Sequence, residues 1–227
     1  LKFDNVMNDQ RKVFYEQRKE LMQVSDVSDT VSDMREEFLT DIVASAIGGG
    51  TAPKDWMLDD LKQELARVTG FLMPLEEWAK EPEMDSDMMI QRVVETVERQ
   101  LVEKNANLPE DIVRLVEKNI LLQVLDQLWK EHIASLDYMR YTIVLRAYGQ
   151  KDPLNEYKKE AFNMFSDMLD MLRERVTFMT CRVQIQTQSP EELQLRRTPT
   201  RMQEVHETPQ NLLNANQQQP QAETKEK

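Results

Sequence analysis

Glycine and cysteine are both scarce in this chain of 227 residues. Its glycines are Gly48, Gly49, Gly50, Gly70 and Gly149, so no GxxxxGK[ST] or GxGxxG phosphate cradle can be built. Nucleotide binding through such loops is excluded. The lone Cys181 forms no internal disulfide and offers no cluster for zinc. It fits a reducing compartment and reads as a small apolar residue on a helix. No run approaches the roughly 20 apolar residues of a membrane-crossing helix, and the opening LKFDNVMNDQRK lacks the layout of a signal peptide. A first residue of Leu is expected of a fragment or a processed chain. A basic excess is also missing. The net charge is −12, which disfavours nucleic acid as the main partner.

The acid is unevenly placed. Residues 1–113 hold 25 of the 41 acidic and 13 of the 29 basic residues, and residues 114–182 hold 10 and 11. The first half is therefore acidic and the second neutral.

Periodicity predicts an all-α chain with a long helix, a small helical unit, an antiparallel hairpin and a disordered tail. Over 1–47, Phe3, Val6, Met7, Gln10, Phe14, Gln17, Leu21 and Val24 follow spacings of three and four. Val27, Val31, Met34, Phe38 and Ile42 continue them after a polar interval. This is one helix of roughly 70 Å, or two if the serines and aspartates of SDVSD cap a second. GGGTAP at 48–53 breaks the chain. Residues 54–113 follow as short acidic helices punctuated by prolines, with Trp56, Phe71 and Trp78 as core anchors. A further helix is expected over 110–147, with Leu121, Leu125, Leu128, Leu136, Met139 and Ile143 in a stripe. The next starts with Asp152 as N-cap and Pro153 at N1, and its stripe runs from Leu154 through Tyr157, Ala161, Phe165, Met168 and Leu172 to Val176. So short a break makes the two antiparallel neighbours. Beyond about residue 186, Gln, Pro, Glu, Thr and Asn dominate, a composition expected to be disordered.

Few residues offer chemistry. His132 shares a register with Leu128 and Leu136 and reads as a satisfied core or interface histidine, without the oriented partners of a base. His206 lies in the tail. The carboxylate pairs at 36–37, 59–60 and 76–77 read as solvated faces. Met164, Met168 and Met171 read as core, although methionine also suits adaptable binding surfaces. An enzyme built on His132 and Cys181 fails for want of a triad.

The turn LRAYGQKDP at 145–153 is over-equipped for a connector. Gly149, Asp152 and Pro153 suffice to stop one helix and start another. Arg146, Tyr148 and Lys151 have no such duty. Tyr138 and Tyr141 can bury along the arm, whereas Tyr148 stands where the arm ends. It either folds back on the hairpin or grips a partner through stacking and apolar contact.

LKFDNVMNDQRKVFYEQRKEL, LLQVLDQLWKEHIASLDYMR and LRAYGQKDPLNEYKKEAFNMF, in that order, resemble the C-terminal third of the SecA family of bacterial preprotein translocase motors. The likeness implies a scaffold helix at 1–47 and a helical wing at 48–113. It implies a two-helix finger with the returning scaffold helix at 114–182, and a linker at 183–227. It further implies a role in post-translational export of unfolded preproteins through the SecYEG channel. ATP and Mg would sit in motor domains absent from this chain, which itself would carry no catalytic, cofactor or metal site. Arg146, Tyr148, Gln150 and Lys151 at the fingertip would touch preprotein or channel. The partners would be SecYEG, preprotein and the protein's own motor domains, with a homodimer left open. The place would be the cytoplasmic side of the inner membrane, in peripheral association. The tip reads Arg-Ala-Tyr-Gly-Gln where the family commonly has Arg-Gly-Tyr-Ala-Gln. No Cys-rich zinc knuckle ends the chain. The alternative is a stand-alone helical adaptor that binds proteins without a motor.

Overall fold

A computed structural model of the chain describes residues 2–48, 56–143 and 152–185. These form seven helices, with no strand among the described residues: α1 (Lys2–Gln23), α2 (Ser28–Ile47), α3 (Leu58–Thr69), α4 (Leu75–Trp78), α5 (Ser86–Asn105), α6 (Glu110–Ile143) and α7 (Pro153–Arg182).

The helix expected over 1–47 is two helices. The break has identifiable causes. Asp26 Oδ1 accepts the Ser28 backbone N–H at 2.8 Å, which starts α2 by the local bonding that draws Asp out of helices. Val27 is buried at the corner. At the other side, Lys118 Nζ of α6 donates to the carbonyls of Met22 and Val24, supplying at the end of α1 the cation its own last turn lacks.

The inward face of α2 also differs from the sequence reading. Val31, Arg35, Leu39, Val43 and Ile47 are buried, one every four residues. Met34, Phe38 and Ile42 are half-buried flanks. A guanidinium therefore occupies a core position. Arg35 is 5% exposed, and its Nε and Nη2 reach Glu98 of α5 at 2.7 and 3.4 Å.

Three apolar cores follow. In the first, α2, α3, α4 and α5 enclose Leu39, Val43, Trp56, Leu61, Leu65, Leu75, Met89, Val93 and Val97, with Phe71 and Trp78 packed at its side. Cys181, near the end of α7, completes it. The second joins α1 and α2 to α6 and α7 through Phe14, Val27, Val31, Leu121, Leu125, Leu128, Trp129, Met168, Leu172 and Val176. The third lies further along the hairpin, where Leu136 and Ile143 meet Tyr157 and Ala161. Because α7 contributes to all three, it ties the small helical unit to the hairpin. Arg182 strengthens the tie by donating to the Arg67 carbonyl at 2.7 Å, one of the orphan acceptors at the end of α3. Gly70 ends α3 at φ +79, a left-handed position suited to glycine.

Candidate functional site

Helices α6 and α7 contain 34 and 30 residues, so the arms are about 51 and 45 Å long. Their pairing is antiparallel, since Ile143 packs near Tyr157 while Leu125 and Leu128 pack near Met168 and Leu172. The second arm starts as its sequence dictates: Asp152 Oδ1 accepts from the Leu154 N–H at 3.0 Å and Pro153 opens the helix. The four expected tip residues, Arg146, Tyr148, Gln150 and Lys151, lie outside the described residues, as do the displaced Gly149 and the tail with His206.

Two expectations on the arms need correcting. Tyr138 and Tyr141 are 72% and 78% exposed, not buried. Each is two residues from a core position, Leu136 or Ile143, and two residues is about 200° around a helix, so both rings point outward. Of the three methionines only Met168 is buried, while Met171 is exposed. The face bearing Met164 forms a shallow cleft with Ser135, Tyr138, Met139, Thr142 and Glu160.

Helix α1 lies antiparallel along α6 and also touches α7. Asp4 meets Arg140 at 2.7 Å, Gln10 meets His132 at 2.8 Å, and Arg18 holds both oxygens of Asp126 at 2.6 and 2.8 Å. Between these, Phe14 stacks on Trp129 with ring centroids 4.2 Å apart and an interplanar angle of 8°. Phe3 meets the ring of Tyr157 edge-on at 4.9 Å. Phe14 is the one buried side chain among the described side chains of α1.

The electrostatics of this contact are those of a joint. Hydrogen bonds from Arg18 hold the Asp126 carboxyl below its ordinary range. His132 sits between Trp129 and Phe165, and burial pushes its pKa below 6.5. Its Nε2 faces Gln10 Oε1, so the neutral ring donates there, while Gln10 Nε2 donates to the Ala161 carbonyl of α7 at 2.9 Å. This is a satisfied interface histidine. Cys181 lies in a different core, its thiol pushed up to about 11 chiefly by burial, so no nucleophile and base are brought together.

Sequence reasoning missed the Gln10–His132–Ala161 junction because its members are 122 and 151 residues apart. One signal was present: Gln10 is polar at an inward position of an apolar stripe.

Comparison with known proteins places this geometry in a family. A family model described as the SecA wing and scaffold domain matches residues 1–184. The SecA 1 protein translocase subunit of Rhodopseudomonas palustris is 47% identical over 191 residues, which cover 84% of this chain and 20% of the relative. The SecA subunit of Afipia carboxidovorans is 45% identical over 185 residues, 82% of the chain and 20% of the relative. That of Gluconobacter oxydans is 42% identical over 190 residues, 84% and 21%. The chain thus spans about a fifth of the length of the curated relatives it matches.

Proposed function

The chain belongs to the SecA wing and scaffold family, and from that premise we propose that it is the coupling part of a motor that exports unfolded preproteins post-translationally through the SecYEG channel. In this reading 1–47 is scaffold, 48–113 wing, 114–182 finger with returning scaffold helix, and 183–227 linker. ATP and Mg act in motor domains elsewhere in the full-length protein, and no bond is made or broken by the residues of this chain.

The observation that carries the reading is the clasp of α1 along the hairpin. Stacked rings, a bidentate ion pair and a buried polar junction spread over α1 from Asp4 to Arg18. Two arms of some 50 Å held together this way resist bending, so a displacement applied to α1 or α7 reaches the far end of the hairpin. There Arg146, Tyr148, Gln150 and Lys151 engage the preprotein or the channel mouth. Tyr138 and Tyr141, exposed on the adjoining arm, extend the surface a passing chain would meet, and aromatic rings suit contact with varied sequences. The protein's own motor domains are the upstream partners. None of the described helices is long and apolar enough to cross a membrane; the family reading puts the protein on the cytoplasmic side of the inner membrane, in peripheral association through the channel.

The test is Tyr148→Ala in the full-length protein. Preprotein transport should be lost while ATP hydrolysis persists. Unchanged transport refutes the role given to the tip.

A further inference from the structure

The apolar stripe of α1 repeats every three or four residues, with Val6, Met7 and Phe14 on the same face as Gln10. A slip of one turn, about 5.4 Å, keeps an apolar stripe against the hairpin but gives up the stack of Phe14 on Trp129. Two of the polar contacts across the joint resist slipping only weakly. Side chains of the Asp4–Arg140 and Arg18–Asp126 pairs are between 31% and 42% exposed, and exposed ion pairs are screened and readily exchanged for water.

The Gln10 contact is different in kind. His132 is 5% exposed with an aromatic ring on either side. The Gln10 amide spends its acceptor on His132 and a donor on the Ala161 carbonyl, so one side chain of α1 is bonded to both hairpin arms. A slip of one turn either way would bring Met7 or Phe14 opposite the imidazole. The buried ring N–H would lose its acceptor, and neither replacement could supply one. A buried polar contact within the apolar part of a helix interface is a known physical means of selecting one register among several.

We propose that Gln10 and His132 form a register lock. They are positioning residues that hold α1 on one turn of the hairpin, so that movement of α1 is passed on without slip. The consequence for transport rests on the lever reading above, whereas the register itself does not.

The experiment uses the full-length protein with its other reactive thiols removed and spin labels at Lys12 and Asp111, both exposed and offset by roughly 28 Å along the helix axes. Cys181 is 2% exposed and stays unlabelled. The variants are Gln10→Met and the double variant Gln10→Met with His132→Leu, which keep the joint apolar and filled. The unsubstituted protein should give one narrow distance distribution. The double variant should add a population shifted by about 5 Å, one helical turn, and move less preprotein per ATP hydrolysed. A distribution that stays single and narrow in both variants overturns the lock. So does failure of both variants to fold, because the junction would then be supporting the fold instead of selecting a register. A second register with undiminished transport per ATP upholds the lock and refutes the lever reading of α1.

Discussion

Replacing Phe14 with Ala should detach α1 without unfolding the rest. Phe14 is 3% exposed and is the only buried side chain among those described on its helix. Its neighbours Val13 and Tyr15 are 45% and 56% exposed and add little. Truncating a core Phe to Ala typically costs about 3–5 kcal/mol, and the stacked pair with Trp129 adds about 0.5–1.5 kcal/mol beyond its buried area. The partly exposed ion pairs that remain contribute under about 1 kcal/mol each. The variant therefore loses the largest single attachment of α1, while the cores that unite α2, α6 and α7 keep theirs. Hydrogen exchange reads this directly. Amides of residues 5–20 should lose about a hundredfold or more of their protection, since each 1.4 kcal/mol is a factor of ten. Amides near Met168 and Leu172 should stay within a few-fold. A uniform loss over all helices, or none in α1, would refute the assignment of Phe14 as the anchor.

Other substitutions probe other joints. Tyr157 is fully buried and its hydroxyl has no hydrogen-bond partner among the described residues, so Tyr157→Phe should stabilise by about 1 kcal/mol and raise the melting temperature by about 2–4 °C; a lower melting temperature would show that the hydroxyl is bonded. Glu98→Ala should cost roughly 2 kcal/mol in urea unfolding, less than a fully buried pair because the Glu98 side chain is 37% exposed; a cost near zero would mean that water serves Arg35 equally well. The depressed pKa of His132 makes stability depend on pH. Below about 6.5 the unfolded chain takes up a proton that the folded chain still refuses, so stability falls with pH until the folded ring titrates. His132→Gln should flatten that part of the stability profile, and an unchanged slope would contradict the origin given for it.

The hairpin was the most legible part of the sequence. Two long stripes meet at a turn whose Asp152 and Pro153 carry their own start signal, and local rules suffice there. The break after α1 was legible as an alternative, since SDVSD contains the very aspartate that bonds Ser28. Harder to read was the inward face of α2. Arg35 stands on a strict four-residue series from Val31 to Ile47, yet a cation is taken as a surface residue until its partner, Glu98 on α5, is known. Tyr138 and Tyr141 misled in the opposite sense, because aromatic rings are taken as core unless their angle from Leu136 and Ile143 is counted. Gln10 and His132 could not be paired at all: nothing local joins two helices so far apart in the chain. The family was legible from three motifs because they combine residue identity with order, which periodicity lacks.

The central claim is that the end of this hairpin touches the chain being moved. A photo-crosslinking side chain in place of Tyr148, in the full-length protein with channel, ATP and a preprotein halted in transit, tests it most directly. The account predicts an adduct between position 148 and the preprotein that depends on ATP. Adducts to the protein's own domains or to the channel alone, with none to preprotein, would contradict it.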